Sequence, residues 1–373
     1  MIRNHLGQHM IIGLSGYSLT STEKKFIVDN NIGGVILFSR NIQSPEQVHA
    51  LCTEIQSLRH LMPDKAPIII SIDQEGGRVA RIRAPLTVWP PLKKLGEIDN
   101  PTVSFHFSHR LGLELRALGI NLNFAPCIDV FSNPQNTVIG DRALSSDFNL
   151  VTKHASALVR GFIKAEVVPC IKHFPGHGNT LIDSHEDLPV ENATLDQLMT
   201  TSILPFKKAF KSRADLVMLA HILFPQIDPN FPATLSEIFV QKILKADCRY
   251  RGLIITDDLG MKALTKNLST SEIAVRALQI GVDLLLYCNE PEAPGVAMEA
   301  LLEACGNGLL KPDFVQQNAQ KILQFKLSRI KNPDVLPFSD VRHLIGHESH
   351  KKLSEAIIAG SVPLELLGES EEG

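Results

Sequence analysis

Eight short hydrophobic segments recur along the chain, and a longer segment of helical character follows each of them. The segments are almost continuously apolar rather than alternating, which is typical of strands buried on both faces of a parallel sheet. They cover residues 10–15, 34–38, 67–72, 121–126, 167–173, 216–221, 252–257 and 282–287. The pattern therefore predicts eight parallel strands that alternate with helices.

The segments between the predicted strands carry helix-start signals, in which a Ser or Thr precedes an acidic residue. These signals predict helices over residues 44–61, 194–211, 236–245 and 271–281. Strands that alternate with helices in this way predict an α/β fold, a single TIM-type (β/α)8 barrel. A doubly wound open sheet is disfavoured, because no glycine-rich phosphate loop follows a predicted strand.

We expect the barrel to cover residues 1–345 as one catalytic unit with terminal helices and no second domain. Residues 346–373 are expected to form a C-terminal helix and an acidic tail, which packs on the barrel or trails from it. The remainder of the chain is too short for a second domain with its own core.

Composition bears on which partners the protein binds and on the compartment in which it works. The chain is 44% hydrophobic and 21% charged, with a net charge of −3, so nothing points to nucleic acid or an anionic membrane. Six scattered cysteines form no CxxC pair, and no run resembles a signal peptide or a transmembrane helix. We therefore expect a cytoplasmic protein, and we expect a monomer without a cofactor or metal.

Polar residues stand at the ends of five predicted strands, where a barrel would bring them together on one face. They are Asp73-Gln74-Glu75, Asp129, Lys172-His173, His221 and Asp257-Asp258. A pocket lined by Asp, Lys and His suits a hydroxylated or anionic ligand held by charge-assisted hydrogen bonds.

Two residues could carry glycosidic chemistry. Strand geometry lets only one of Asp257 and Asp258 point into the barrel mouth, and a carboxylate there could attack a sugar carbon as a nucleophile. His185, two residues after Asp183, is the candidate proton donor, because a His bonded to an Asp has a fixed tautomer. We expect Asp258 instead to accept hydrogen bonds from loop amides.

Two other classes of protein stay open at this point. His173, His177 and His185 with Asp183 could form a zinc cluster, although a Pro-Gly pair between the first two histidines prevents helical ligand spacing. Activity after chelation would distinguish this class. A non-catalytic sugar-binding barrel is the other alternative, and it would bind sugar without releasing an aglycone.

Four ordered motifs resemble glycoside hydrolase family 3, and more narrowly its bacterial β-N-acetylglucosaminidase branch of peptidoglycan recycling. The motifs are Asp73-Gln74-Glu75-Gly76-Gly77-Arg78-Val79, Lys172-His173-Phe174-Pro175-Gly176-His177-Gly178, Asp183-Ser184-His185 and Thr256-Asp257-Asp258-Leu259-Gly260-Met261. The similarity covers residues 5 to 345, and the combination of four motifs is more specific than any one of them.

The resemblance implies that Asp257 is the nucleophile and that His185 is the acid/base, with Asp183 as its partner on a mobile loop. The implied sugar-binding residues are Asp73, Arg81, Arg142, Lys172 and His173, with His221 as a further candidate. The implied reaction retains configuration and releases N-acetylglucosamine from cytoplasmic N-acetylglucosamine-β-1,4-anhydro-N-acetylmuramic acid, a muropeptide fragment. A glycoside phosphorylase with the same covalent intermediate stays an alternative.

Several neighbours of these motifs are expected to be structural. His177 is expected to hold its loop together, and Lys172 to pair with Asp141 or Glu75. Arg78 is expected to be a scaffold ion-pair partner.

The loop that carries the predicted dyad has its own structural residues. Gly176 and Gly178 with Pro175 are expected to act as hinge and brace. Asn179 departs from the resemblance, since many relatives carry Asp or Ala there, and we expect little effect from it.

Overall fold

The chain forms a closed barrel of eight parallel strands in this computed structural model, which describes residues 2–180, 184 and 186–366. Two further strands, β4 and β5, form a separate hairpin. In chain order the strands are β1 Met10–Gly13, β2 Gly34–Leu37, β3 Ile69–Ile72, β4 Gln74–Gly76, β5 Val79–Ala80, β6 Leu122–Asn123, β7 Val168–Phe174, β8 Leu216–Leu219, β9 Leu253–Asp258 and β10 Leu284–Tyr287. The predicted TIM-type (β/α)8 barrel is confirmed. Each of the eight predicted segments overlaps one barrel strand, and β10 pairs with β1 to close the sheet.

Helices surround the barrel. They are α1 Ile2–Gln8, α2 Ser21–Asp29, α3 Pro45–Ser57, α4 Leu92–Ile98, α5 Pro101–Ala117, α6 Phe148–Lys164, α7 Leu195–Thr200, α8 Ile203–Lys211, α9 Lys262–Thr265, α10 Thr270–Gln279, α11 Ala293–Gly306, α12 Pro312–Arg329, α13 Phe338–Val341 and α14 Glu348–Ile358. A π-helix covers Ile238–Asp247, and 3₁₀ turns cover Ser39–Asn41, Leu58–Leu61, Gly140–Arg142, Ala233–Leu235, Arg342–Leu344 and Leu364–Leu366.

The barrel interior is a packed hydrophobic core, because alternate strand residues point inward and the others face the helices. Its members include Ile11, Ile36, Ile69, Leu122, Val168, Cys170, Leu216, Leu253, Ile255, Leu284 and Leu286. Ile322 and Phe325 of α12 join this interior cluster. Lys321 of the same helix bonds to the carbonyl of Gly252, just before β9, so α12 lies across the amino ends of the strands.

The predicted helices are present, with three corrections. The helix predicted over 194–211 is two helices, because Pro205 has no amide hydrogen for the carbonyl of Thr201 and its ring crowds that carbonyl. The helix predicted to begin at Ser271 begins earlier, since Ser269 is the N-cap and forms a capping box with Glu272. The helix predicted over 236–245 is the π-helix.

Two further features differ from the predictions around the sheet. The fourth barrel strand, β6, has only two residues, and Pro126 beyond it cannot donate to a neighbouring strand. The small antiparallel hairpin of β4 and β5, which follows β3, was not predicted.

At the C-terminal side, α14 packs on α4 and α5, outside the barrel. None of the described helices is long and apolar enough to cross a membrane.

Candidate active site

A buried charge network joins the carboxyl ends of β3 and β7. The ammonium of Lys172 lies 2.6 Å from Asp73 Oδ1 and 2.7 Å from Glu75 Oε1. Arg142 donates two hydrogen bonds to Glu75, at 2.9 and 2.8 Å, in the bidentate geometry that fits a carboxylate best. The two cations thus share the buried carboxylate of Glu75, and Lys172 also reaches that of Asp73.

The network keeps its members charged. Burial would raise the pKa of Glu75, but Arg142 and Lys172 outweigh it and hold that pKa well below its usual range. Burial likewise opposes the positive charge of Lys172, yet Asp73 and Glu75 raise its pKa above the usual value. The site therefore presents fixed charges rather than groups that titrate near neutrality.

The more exposed edge of this network is the part that can contact a ligand. Lys172 is 3% exposed, whereas the side chains of Asp73 and Arg81 are 16% and 29% exposed. Arg81 lies 3.4 Å from Asp73, and its guanidinium stacks over the ring of Phe38 at 5.0 Å. Arg40 stacks on the same ring at 4.8 Å. Phe38, which the sequence analysis did not identify, therefore orients Arg81 at the mouth.

A second network centres on the buried carboxylate of Asp129. It accepts hydrogen bonds from the backbone amide of His173 at 3.2 Å, from His173 Nδ1 at 2.7 Å and from the amide of His177 at 2.7 Å. These bonds and the nearby imidazoles overcome burial and lower the pKa of Asp129 to about 2. Asp129 therefore orients His173.

The tautomer of His173 follows from its partners. Nδ1 donates to Asp129, while Arg142 at 3.4 Å from Nε2 can only donate. Nε2 is therefore the acceptor on the side of Arg142. The two charged side chains thus hold the ring in one orientation.

Asp257 and Asp258, at the end of β9, make different contacts. Asp258 Oδ1 accepts from the amides of Gly260 and Cys288, each at 3.1 Å, which confirms its structural role. Burial would raise the pKa of Asp257, but His221, His173 and the Asp258 amide lower it below the usual value. Asp257 is thus a carboxylate held ionised among the site residues.

His221 lies against the same strand end with both ring nitrogens engaged. Nε2 donates to the carbonyl of Asp258 at 3.0 Å, and Nδ1 lies 2.9 Å from the hydroxyl of Thr234. Burial lowers the pKa of His221, although Asp257 acts against it. Because its polar atoms are used within the protein, the contacts give His221 a positioning role beside Asp257 rather than a free donor for sugar.

The predicted acid/base dyad, Asp183 and His185, lies outside the described residues. The residues just before it are firmly placed. A Cβ at Gly178 would lie 1.7 Å from the carbonyl oxygen of Val130, so only glycine allows this close approach. Gly176 has φ of 128°, and a Cβ there would lie 2.6 Å from Cβ of Ser202. Both glycines are buried and closely packed, and their expected role as a hinge stays a prediction.

Other structural expectations can now be compared with the contacts. His177 holds its loop as expected: its ring lies 2.8 Å from the hydroxyl of Thr180. Lys172 pairs with Glu75 as expected, but Asp141 pairs instead with Arg78. Arg78 also donates to the carbonyls of residues 137–139, so it fixes the turn that carries Arg142.

The sequence analysis placed Asp129 and Glu75 among the polar strand-end residues, but it gave Asp129 no specific partner and treated Glu75 as a possible partner of Lys172. The available signal for Asp129 was its place directly after the apolar run that contains the fourth strand. Its role as the acceptor for two histidine amides depends on the approach of β6 and β7, which no local pattern reveals.

Metal-ligating groups come together at one place among residues 2–180, 184 and 186–366. Cys127, Asp129 and His173 offer ligand atoms that lie within 4.8 Å of one another. This group differs from the four-residue zinc cluster considered above, in which two members lie outside the described residues. Burial raises the pKa of the Cys127 thiol well above its usual range, which opposes the thiolate that a metal needs.

Comparisons with known proteins agree with this geometry. The glycosyl hydrolase family 3 N-terminal domain matches residues 1–325. The beta-hexosaminidase of Nitrosomonas eutropha is 36% identical over 298 residues, which cover 78% of this chain and 84% of that protein.

Solved structures show the same relationship. A glycoside hydrolase family 3 beta-N-acetylglucosaminidase from Paenibacillus sp. str. FPU-7 is 34% identical with a TM-score of 0.88, over 97% of this chain and 69% of that one. NagZ from Neisseria gonorrhoeae, solved in complex with N-trifluoroacetyl-D-glucosamine, is 30% identical with a TM-score of 0.76, over 96% of this chain and 98% of that one. The chain therefore belongs to glycosyl hydrolase family 3 and is a glycoside hydrolase.

Proposed function

We propose that the protein is a retaining β-N-acetylglucosaminidase that removes a non-reducing terminal N-acetylglucosamine by double displacement. The observation that carries the proposal is the position of Asp257 at the carboxyl end of β9, close to His221, His173 and Lys172 at the barrel mouth. The names of the relatives, beta-hexosaminidase and beta-N-acetylglucosaminidase, support the same class of substrate.

In the first step Asp257 attacks the anomeric carbon, and the bond from that carbon to the aglycone oxygen breaks. His185, as an imidazolium, donates its proton to the leaving oxygen, and Asp183 fixes its tautomer. In the second step neutral His185 takes a proton from water, which attacks the glycosyl-enzyme and releases Asp257. Two inversions give net retention of configuration.

The sugar would be held by the exposed edge of the charge network. Asp73 accepts hydrogen bonds from hydroxyls, and Arg81 and His173 contribute further contacts. Lys172 and Arg142 lie deeper and keep these groups in place. Charge-assisted hydrogen bonds of this kind suit a ligand that presents a hydroxyl on most of its carbons.

For the natural substrate we propose N-acetylglucosamine-β-1,4-anhydro-N-acetylmuramic acid, a cytoplasmic muropeptide fragment released in cell-wall recycling. The four motifs support this choice, because they resemble the peptidoglycan-recycling branch. A reduced compartment is consistent with the cysteines, since all six are free and four of them are buried.

The central test compares an aryl β-N-acetylglucosaminide with the matching β-glucoside, for the wild-type enzyme and Asp257→Ala. We expect strong preference for the N-acetyl sugar and a loss of kcat of roughly a thousandfold or more in the variant. Wild-type turnover in phosphate buffer should release free N-acetylglucosamine. Formation of N-acetylglucosamine 1-phosphate would contradict hydrolysis, and an active Asp257→Ala enzyme would contradict the nucleophile.

The aglycone can be tested separately by chromatography of reactions with the disaccharide muropeptide fragment and with chitobiose at equal concentration. We expect a higher kcat/KM for the muropeptide fragment. Equal or better turnover of chitobiose would contradict the proposed substrate but would leave the proposed reaction intact.

A further inference from the structure

Few polar contacts hold the guanidinium of Arg81 at the barrel mouth. Its backbone is fixed, since its amide donates to the side chain of Gln74 at 2.8 Å. Within residues 2–180, 184 and 186–366, the one hydrogen-bond partner of its side chain is Asp73 at 3.4 Å, and its Nε is buried without a partner. A single long hydrogen bond does not fix the orientation of a planar guanidinium.

The aromatic ring of Phe38, directly after β2, supplies the remaining constraint. The Arg81 guanidinium lies over this ring, 5.0 Å from its centroid, within the range of a cation–π contact. The ring itself packs against the interior core cluster, and the guanidinium of Arg40 lies over it at 4.8 Å. Arg40 in turn donates to three acceptors in the segments after β1 and β10. Phe38 is therefore a fixed platform for Arg81.

The topology places this platform on the far side of the mouth from the predicted nucleophile. In the closed sheet of eight strands, β3 and β9 are four steps apart in either direction. Asp73 follows β3 and Asp257 lies at the end of β9, so the two carboxylates stand on opposite sides of the mouth. In a pyranose ring C1 and C4 are opposite corners. When C1 lies at Asp257, the 4-hydroxyl is therefore presented to Asp73 and Arg81, an acceptor and a donor.

We propose that Phe38 is a positioning residue for sugar specificity, which holds Arg81 where it distinguishes an equatorial from an axial 4-hydroxyl. N-acetylglucosamine and N-acetylgalactosamine differ only in the configuration at C4. A site built to hydrogen-bond a hydroxyl rejects a sugar that lacks it at that place, because polar groups of the site then stay unpaired. The inference rests on the proposed sugar-binding role of Arg81.

The readout is the ratio of kcat/KM for 4-nitrophenyl β-N-acetylglucosaminide to kcat/KM for the matching β-N-acetylgalactosaminide. The two substrates have the same leaving group, so the ratio reports on C4. We expect the wild type to favour the glucosaminide by roughly a hundredfold or more. Phe38→Leu, which removes the ring, should lower kcat/KM roughly tenfold for the glucosaminide and less than about twofold for the galactosaminide. Damage to the fold would lower both values together.

Two further variants test whether Phe38 acts through Arg81. Phe38→Tyr keeps the aromatic ring and should keep the ratio within about threefold of wild type. Arg81→Ala should lower the ratio at least as much as Phe38→Leu does. The double variant Phe38→Leu with Arg81→Ala should have the ratio of Arg81→Ala alone, because two residues that act through one contact are not additive. An additive loss would contradict the route through Arg81.

Matched controls separate positioning from a general effect of the substitution. Phe105→Leu makes the same change at another half-buried ring, on α5 outside the barrel, and should leave the ratio unchanged. Phe38→Met also lacks the ring, and it tests the platform if Phe38→Leu does not fold. For variants with slow turnover, the inhibition constants of free N-acetylglucosamine and N-acetylgalactosamine give the corresponding ratio. Thermal unfolding of each variant checks that the barrel is intact.

The outcomes distinguish this inference from the proposed function. If the wild type turned over neither N-acetyl sugar, the proposed function itself would fail. Equal wild-type turnover of the two epimers, or a ratio unchanged by Arg81→Ala, would refute the role of Arg81 at C4. If Arg81→Ala lowers the ratio but Phe38→Leu leaves it unchanged, or lowers both substrates equally, the positioning role of Phe38 is overturned and the proposed function stands.

Discussion

Two buried lysines lie at opposite ends of the barrel and differ in the charge of their partners. Lys172, 3% exposed, ends β7 at the carboxyl face, between the carboxylates of Asp73 and Glu75. Lys326, 0% exposed, lies on α12 under the amino face, and its ammonium nitrogen is 2.8 Å from the amide oxygen of Gln8. One lysine has two charged partners, and the other has a neutral one.

The pKa values of the two lysines shift in opposite directions for this reason. Burial opposes the charged form of both side chains. At Lys172 the two carboxylates outweigh burial and raise its pKa, whereas at Lys326 burial dominates and lowers the pKa to about 7. The comparison shows that partners, and not depth alone, decide whether a buried amine stays charged. At the carboxyl end, the two carboxylates maintain the fixed positive charge of Lys172 beside the candidate sugar site.

Substitution of the paired lysine should have the largest effect. Lys172→Met keeps much of the side-chain volume but removes the cation shared by Asp73 and Glu75, which leaves them only Arg81 and Arg142. We expect a loss of kcat/KM of roughly a hundredfold on the aryl N-acetylglucosaminide and a free energy of unfolding lower by about 3 kcal/mol. Steady-state kinetics and urea unfolding measure the two effects.

Lys331→Met, at an exposed position, is the control for that experiment and should be neutral in both assays. If Lys172→Met were as active and as stable as the wild type, the charged partners would not explain the difference between the two lysines.

The second prediction concerns the pH dependence of stability. Because the pKa of Lys326 is about 7 in the fold and near 10.5 when unfolded, the unfolded chain binds more protons between these values. The wild type should therefore gain about 2 kcal/mol from this residue between pH 7 and pH 9. Lys326→Met should lack that gain, as measured by the difference in urea unfolding free energy at the two pH values.

The exposed lysine variant again supplies the reference, since Lys331→Met should keep the wild-type pH dependence. A slope unchanged by Lys326→Met would mean that the buried amine is charged at neutral pH, like Lys172, and the contrast between the two ends would fail.

The smallest effect should come from the rim of the same site. Arg78 and Asp141 form an exposed ion pair at 3.1 Å, with side chains 48% and 41% exposed. Solvent weakens such a pair, so Asp141→Asn should lower the free energy of unfolding by less than about 1 kcal/mol. If Asp141→Asn lowered the free energy of unfolding as much as Lys172→Met in parallel urea titrations, burial would not explain the difference between the exposed and the buried ion pairs.

Much of the fold could be predicted because its signals are local. Each buried strand of the parallel sheet is a continuous apolar run, and Ser44 and Thr194 cap helices where predicted. The helix break before Pro205 and the early start at Ser269 were missed, although both follow from single residues. The helix-start signal at Ser236 did not distinguish an α-helix from a π-helix.

The site was predictable only in part. Position at a strand end identifies Asp73, Lys172, His173 and Asp257 as residues of one face, because parallel strands in a barrel all end on the same side. Residue type at a strand end does not say which groups pair. Asp141 was considered for Lys172 on equal terms with Glu75, and only the fold separates them.

The amino-acid sequence by itself determined the barrel, the order of the four motifs and the residues that reach the mouth, since these depend on periodicity and chemical type. The tertiary structure decided the partners: Lys172 meets Asp73 across 99 residues, Asp129 meets His173 across 44, and Asn179 meets Glu191 across a loop. Coulomb energies and hydrogen bonds depend on distances of a few ångströms. Closure of the barrel sets these distances, and no local pattern in the chain contains them.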